Sequence, residues 1–210
     1  MDNGIGLAMA LTLPAAAALI IAPSYLIEGL YTRGAFLTSD AQQAGRALIH
    51  YGWGVPAFVL IKVLAPAYFA REDTKTPMKF ALVSVAVNTV LGAGLFLWLR
   101  SQGVAGFPGL AVATSTAAWG NALMLLFGLR TRGWYTAGPV LRSRLIRVLL
   151  ATATLAVVLD LWMRNRASFE TGLLESKLVE TAAFILVGIF TYAISAFALG
   201  AVKISDIRRA

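Results

Sequence analysis

The chain has 210 residues, of which 59% are hydrophobic and only 13% are charged, against about 25% charged residues in an average soluble domain. This composition excludes a soluble globular protein and is typical of a protein surrounded by lipid. The formal net charge of +8 does not indicate nucleic-acid binding, because the basic residues are scattered at the ends of apolar blocks rather than gathered on one face. The absence of cysteine and the single histidine exclude disulfides, thiolate metal sites and a histidine cluster for zinc.

Six apolar blocks are candidates for membrane-spanning helices. A spanning helix needs about 20 residues at about 1.5 Å each, and five of the blocks meet that length. The fifth block is short, and we predict that the side chains of Arg147 and Arg164 at its ends reach outward to the membrane surface. The sequence thus predicts an all-α, polytopic membrane helix bundle without a soluble domain. The blocks comprise residues 4–31, 47–70, 78–99, 110–129, 147–163 and 178–202.

The connections between the blocks differ in basic charge between the two sides of the membrane. Cytoplasmic loops of membrane proteins are enriched in Lys and Arg, and an even number of spans puts both termini on the same side. We predict that the richer side is cytoplasmic and that both termini lie there. It carries Arg71, Lys75, Lys79, Arg130, Arg132, Arg142, Arg144, Arg147, Lys203, Arg208 and Arg209, whereas the other side carries Arg33, Arg46, Arg100, Arg164, Arg166 and Lys177.

Prolines and glycines predict interruptions in the first two blocks. Such breaks persist in a membrane only where neighbouring protein or water satisfies the freed backbone groups. Adjacent broken helices are common in transporters, but Gly and Pro are also more frequent in membrane helices in general, so both interpretations stay open. The residues concerned are Pro14 and Pro23 in the first block and Gly52, Gly54, Pro56 and Pro66 in the second.

Lys62 is the strongest functional signal inside an apolar block. Charge near the middle of a bilayer is costly and is usually kept for function. Because Lys62 lies between two prolines, Pro56 and Pro66, it can point into a polar cavity between helices. We therefore predict a substrate-binding or gating role for Lys62.

A dense charge cluster follows where this block ends, at Arg71, Glu72, Asp73 and Lys75. One interpretation is structural: a helix exit, a capping threonine at position 74 and a proline in the first turn of the next helix. The other interpretation is a cytoplasmic charge lock, whose ion pairs open and close during a transport cycle. The sequence favours neither.

No catalytic constellation is present. The sequence lacks a phosphate-binding glycine loop, a GxSxG motif, an HExxH motif and a pair of facing carboxylates. We therefore predict that the protein is not an enzyme, which leaves transport, or membrane structure and partner binding. Asn88 and Thr114 most simply form hydrogen bonds between helices. His50 is predicted to be interfacial, the alternative being a proton-linked role.

The segment KVLAPAYFAREDTKTP, from Lys62 to Pro77, resembles the signature of the MurJ/MviN family of lipid II flippases. The resemblance covers the whole chain and implies that it corresponds to helices nine to fourteen of a family member. Residues 1–130 would be four helices of the C-terminal lobe of a multidrug/oligosaccharidyl-lipid/polysaccharide exporter fold. Residues 131–210 would be two extra helices that form a groove for the lipid tail.

The resemblance also implies a function and partners. A lipid II flippase moves this peptidoglycan precursor from the inner to the outer leaflet of the bacterial inner membrane by alternating access, for cell-wall synthesis. The implied partners are lipid II, membrane lipids and the N-terminal helices of the same transporter, and Lys62 would meet the pyrophosphate of the substrate. The alternatives are a related polysaccharide or drug exporter and a membrane interaction protein that does not transport.

The resemblance implies no cofactor other than, in some members, a sodium ion. A sodium site in this chain would use Asn88, Thr114 and the Leu110 carbonyl oxygen. Many family members carry a second Asn or Asp four residues after the position of Asn88. This chain has Gly92 there and departs from that pattern.

Overall fold

The computed structural model describes residues 1–31, 37–165 and 177–201. All regular secondary structure in these residues is α-helical, and six helical segments are long and apolar enough to cross a membrane. The predicted all-α bundle of six spans is confirmed. The helices are α1 (Asp2–Ile21), α2 (Pro23–Tyr31), α3 (Thr38–Gly52), α4 (Val55–Phe69), α5 (Lys75–Ser101), α6 (Phe107–Thr131), α7 (Pro139–Arg164) and α8 (Lys177–Ala198).

The first two spans are broken helices, as the prolines and glycines predicted. α1 and α2 meet at Ala22, immediately before Pro23. α3 ends at Gly52, and α4 begins at Val55, with Pro56 in its first turn. Proline suits the first turn of a helix, where its missing N–H would have no intrahelical acceptor.

Pro14 and Pro66 do not interrupt their helices, so the prediction for these two residues is wrong. α1 continues through Pro14, whose missing N–H frees the Ala10 carbonyl oxygen. The Tyr192 hydroxyl of α8 donates to this oxygen at 2.6 Å, so a side chain replaces the absent backbone donor. α4 continues through Pro66 to Phe69, since membrane helices tolerate proline by local adjustment of the backbone.

α6 supplies the hydrogen-bond donors that the break between α3 and α4 requires. The Ser115 hydroxyl donates to the His50 carbonyl oxygen at 2.6 Å, and the Trp119 indole N–H donates to the Trp53 carbonyl oxygen at 2.9 Å. Gly54 makes the close approach possible, because a Cβ at this position would overlap the Ser115 hydroxyl. Neighbouring protein therefore satisfies backbone groups freed at this break, as expected.

The bundle is organised around α1, α4 and α6. α6 packs against α5 on one side and against α3 and α4 on the other, while α1 joins α3 and α4 to α7, and α8 packs on α7 and α2. The largest core cluster lies where α1, α4, α6 and α7 converge. It contains Ile5, Met9, Leu64, Tyr68, Leu125, Leu129, Tyr135 and Leu141.

The charged connections lie at one end of this bundle. We call it the basic end; it comprises the start of α1, the connection 70–74 between α4 and α5, the connection 132–138 between α6 and α7, and the end of α8. Side-chain contacts join these parts, among them Asp73 with Arg132, Asp2 with Tyr135 and Arg147 with Gly200.

α7 and α3 are longer than the predicted apolar blocks. α7 begins at Pro139 rather than at position 147, so the prediction of a short fifth span is wrong. α3 begins at Thr38, ahead of the block that starts at position 47. Both helices begin with polar turns, and the length of an apolar block does not include such turns.

Ser115→Ala is expected to destabilise the bundle, because the variant leaves the His50 carbonyl oxygen without its donor. We expect the free energy of unfolding to fall by about 1 kcal/mol, measured by thermal unfolding in a neutral detergent. Thr116→Ala is the matched control, since the Thr116 hydroxyl is exposed and bonds only the Val112 carbonyl oxygen of its own helix. Equal destabilisation by both variants would contradict the role of Ser115 at the break.

Candidate functional site

Lys62 lies on an open face of the bundle. Its side chain is exposed on α4, whereas Leu64 and Tyr68 on the opposite face of the same helix are buried in the core. Lys62 forms no hydrogen bond or ion pair with another described residue. The described helices therefore do not enclose Lys62, and a polar cavity around it needs a second wall from outside them.

Asp73 is the centre of the charge cluster at the basic end. One of its carboxylate oxygens accepts the Thr76 backbone N–H at 3.0 Å, and the other pairs with the Arg132 guanidinium at 2.5 Å. Arg132 also donates to the Thr76 hydroxyl at 3.0 Å. This Asp73–Arg132 clamp connects the α4–α5 connection to the end of α6.

Two aromatic rings hold Arg132 in place. Its guanidinium lies 4.9 Å from the centre of the Trp134 ring and 5.7 Å from the centre of the Tyr68 ring, within the range of cation–π attraction. Tyr68 is itself fixed, because its hydroxyl donates to the Leu125 carbonyl oxygen at 2.7 Å. A stacked arginine loses less freedom on pairing with Asp73 than a free side chain would.

Arg71, Glu72 and Lys75 are not part of this ion pair. Arg71 lies 5.1 Å from the Trp134 ring centre and donates to the Ala67 carbonyl oxygen at 2.9 Å. Glu72 and Lys75 are exposed, and Glu72 adopts a left-handed conformation with φ 58° where the chain turns out of α4. Of the four predicted residues, only Asp73 takes part in the ion pair, and the sequence did not identify Arg132 as its partner.

The predicted threonine cap is wrong. Thr74 makes no side-chain hydrogen bond at the start of α5, and the preceding Asp73 accepts the Thr76 N–H instead. These bonds to Thr76, together with the positive charge of Arg132, hold the pKa of the Asp73 carboxyl below its ordinary value of 3.8.

A second carboxylate anchors the start of α1 at the basic end. Asp2 accepts the Tyr135 hydroxyl at 2.6 Å and the Gly138 backbone N–H at 3.0 Å. Burial, and then the hydrogen bond to Asp2, raise the pKa of Tyr135. The two aromatic residues of this connection therefore both have specific polar partners, Trp134 with Arg132 and Tyr135 with Asp2.

Asn88 and Thr114 come together between α5 and α6. The Thr114 hydroxyl lies 3.2 Å from the Asn88 side-chain oxygen and 2.8 Å from the Leu110 carbonyl oxygen. The expected hydrogen bonding between helices is thus confirmed. These three groups line a cavity of about 550 Å³, and Gly92 lies in the same wall.

The oxygens in this cavity are neutral, which suits a weakly held monovalent cation more than a transition metal. No group of three or more His, Asp or Glu residues with metal-binding spacing occurs in the described part of the chain. Gly92 has no side-chain oxygen and packs beside Leu110 and Ala113.

The broken spans, the open face with Lys62 and the clamped basic end define an integral membrane helix bundle of the multi-pass class. The family model for the lipid II flippase MurJ matches residues 1–180 of the chain. The chain therefore belongs to the MurJ lipid II flippase family.

Curated relatives match along the whole chain. A probable lipid II flippase MurJ of Rhizobium meliloti (strain 1021) is 36% identical over 99% of this chain, and one of Vibrio cholerae serotype O1 is 32% identical over 100% of it. The match takes up 38% and 39% of those two proteins. The chain thus spans about two fifths of the length of the curated relatives it matches.

The fold is also similar to a solved structure. A lipid II flippase MurJ in an inward closed conformation superimposes with a TM-score of 0.71 over 91% of this chain and 36% of that protein, at 23% sequence identity. At this identity the likeness concerns the fold alone. It agrees with the predicted all-α, polytopic membrane helix bundle.

Asp73→Asn is expected to lower the melting temperature of the purified chain in neutral detergent at pH 7, because the ion pair with Arg132 is lost. The pKa of Asp73 is lower in the folded state, so the carboxylate stabilises the fold above the unfolded pKa of about 3.9. This contribution disappears as the pH falls through the folded-state pKa. The difference in melting temperature between the wild type and the variant should stay constant from pH 7 to about pH 5 and shrink below about pH 4.

Glu72→Gln is the matched control for this measurement. It removes the same formal charge from the adjacent exposed residue, which has no ion-pair partner among the described residues. An equal effect of the two variants would show that only net charge matters and would contradict the clamp.

Proposed function

We propose that this chain forms the C-terminal part of a lipid II flippase and moves the substrate only together with the N-terminal helices of the same transporter. Membership of the MurJ family supports the substrate. The observation that carries the mechanism is the open face of α4, where a lysine stands exposed in an otherwise apolar helix with no described helix over it.

Alternating access explains such a face. Transporters of this kind rock two bundles against each other around a site at their interface. We propose that the open face is one wall of that site and that the Lys62 ammonium meets the pyrophosphate of lipid II there. A charged head group crosses the membrane only where water keeps it hydrated and an opposite charge compensates its own. Its tail stays in lipid.

The lipid tail would lie along α7 and α8. Both helices expose apolar side chains along their length, including Leu149, Leu150 and Val157 on α7 and Ile189 and Phe190 on α8. We propose that residues 131–210 act as this groove and residues 1–130 as part of the moving lobe. No covalent bond changes in the proposed cycle, which agrees with a transporter rather than an enzyme.

The Asp73–Arg132 clamp joins two connections of the same lobe. We propose that it stiffens the basic end, so that α4, α5 and α6 move as one unit during transport. The alternative, a lock that opens in each cycle, requires Arg132 to leave Tyr68 and Trp134 as well as Asp73.

Lys62→Ala is expected to abolish complementation when the chain is joined to the N-terminal helices of its Rhizobium meliloti relative, in cells depleted of their own flippase. Lys62→Arg should retain part of the activity, because it keeps the charge but changes the hydrogen-bond geometry. Lys79→Ala, which removes an exposed lysine from α5, should complement fully. Full complementation by Lys62→Ala at normal protein levels would reject the substrate-binding role.

We propose that the basic end faces the cytoplasm in the bacterial inner membrane, with both termini on that side. Of the basic residues in the described connections and helix ends, most lie at this end. The chain has no cysteine, so single cysteines can be placed without background labelling.

Cysteines at Ser39 and Ser101 should react with an impermeant maleimide added to intact spheroplasts. A cysteine at Thr74 should react only after the membrane is opened. Each of the three residues is exposed, so access depends on the side of the membrane. The opposite labelling would reverse the proposed orientation.

We also propose that Asn88, Thr114 and the Leu110 carbonyl bind a sodium ion. Sodium chloride should then raise the melting temperature more than potassium chloride at equal ionic strength, because a ligand that binds only the folded state stabilises it. Asn88→Ala should remove this difference. Thr116→Val should keep it, because Thr116 is exposed, bonds the Val112 carbonyl oxygen of its own helix and does not line the cavity. Equal effects of sodium and potassium on the wild type would exclude a selective site.

A further inference from the structure

A second cavity opens at the basic end, between α1, α7 and the end of α8. Its volume is about 470 Å³, within the usual range for small-molecule sites. Unlike the cavity beside Asn88, it is lined by cationic side chains, Arg144 and Arg147, together with Ser143 and Asn3. It lies away from Lys62, and the transport mechanism proposed above does not use it.

The protein holds both arginines in place. The Arg144 Nε donates to the Ala201 carbonyl oxygen at 3.1 Å, and an Arg147 terminal nitrogen donates to the Gly200 carbonyl oxygen at 3.2 Å. Because the guanidinium of Arg147 carries five N–H groups, this bond leaves most of them for a ligand. Arg147 forms no ion pair with a described acid.

The start of α7 adds further positive potential. The N–H groups of Val140 and Leu141 lie in the first turn of a 26-residue helix and have no intrahelical acceptor. Asp2, the nearby acid, is bonded to Tyr135 and Gly138 and does not line the cavity. Arginines and helix N–H groups together are typical of phosphate recognition.

Apolar residues next to the cavity indicate which kind of phosphate-containing molecule would fit there. On the same helix, Ile146, Leu149 and Leu150 are exposed apolar residues that follow the cavity into the membrane-spanning part. Ile194 and Phe197 of α8 are likewise exposed. A ligand with a phosphate in the cavity and acyl chains along these faces satisfies both surfaces.

We propose that this cavity binds the phosphate of an anionic phospholipid from the leaflet at the basic end. Arg147 and Arg144 bind the phosphate oxygens, Ser143 donates a further hydrogen bond, and the acyl chains lie against the apolar residues of α7 and α8. The bound lipid thereby fills the junction of α1, α7 and α8. The phosphate site is separate from Lys62, whereas the acyl chains share α7 and α8 with the groove proposed for the lipid II tail.

The test uses the purified chain in a neutral detergent, with phosphatidylglycerol added and bound lipid counted by native mass spectrometry. We expect one saturable site that prefers phosphatidylglycerol to phosphatidylcholine. Arg147→Gln should weaken binding about ten-fold, as expected for the loss of a charge-assisted hydrogen bond. Arg142→Gln is the matched control, since it removes the same charge from an exposed residue of the same helix that does not line the cavity; it should leave binding within about two-fold.

Two further arms separate the alternatives. Ser143→Glu places a negative charge in the cavity without removing either arginine, so it should abolish phosphatidylglycerol binding even if Arg147→Gln fails to fold. Inorganic phosphate at millimolar concentration should not displace the lipid. Effective displacement would mean that the site takes free phosphate, and equal effects of Arg147→Gln and Arg142→Gln, or normal binding by Ser143→Glu, would overturn the proposal.

Discussion

The need to give backbone carbonyl groups a donor inside the membrane determines how these helices are joined. Water is absent from the hydrocarbon region, and each unsatisfied group there costs several kcal/mol. At two of the places where the described helices depart from regular helical bonding, side chains from other helices supply the missing donors. Tyr192 bonds the carbonyl freed by Pro14, and Ser115 and Trp119 bond carbonyls at the break between α3 and α4. At these two places, the irregular point of one helix is also a point of contact with another helix.

The basic end and the face that carries Lys62 differ in how firmly they are held by neighbouring residues. At the basic end, the Asp73–Arg132 clamp, its aromatic supports and the Asp2–Tyr135 bond connect three chain segments that are distant in sequence. The face that carries Lys62, in contrast, has no partner within the described helices. A stiff end beside an open, charged face suits a lobe that moves as a body against another, which is the role proposed for this chain. The cationic cavity beside α8 is a separate site, where we propose that an anionic phospholipid binds the basic end.

Asn88 and Gly92 lie in the same cavity wall between α5 and α6, at a point where this chain departs from the family pattern. The family resemblance implies an Asn or Asp four residues after Asn88, and this chain has Gly92 there. The structure nevertheless places the oxygens of Asn88, Thr114 and Leu110 at bonding distance. Gly92 is buried against Leu110 and Ala113, so α5 and α6 approach closely at this point, as small residues permit in membrane helices. The residue that departs from the family pattern is thus the one that allows α5 and α6 to pack closely.

The sequence by itself determined the class of the fold, the six spans, the two helix breaks at Pro23 and Gly54 and the location of the charge cluster, because each depends on hydrophobicity, proline and glycine within a short stretch of chain. It did not determine that Pro14 leaves α1 continuous, that Arg132 is the partner of Asp73, or that Lys62 faces outward. The acceptor freed by Pro14 finds its donor 182 positions away in Tyr192, and Arg132 lies 59 positions from Asp73. Only tertiary packing brings such groups together, since nothing in the local sequence records which distant side chain will lie beside a given backbone oxygen or carboxylate.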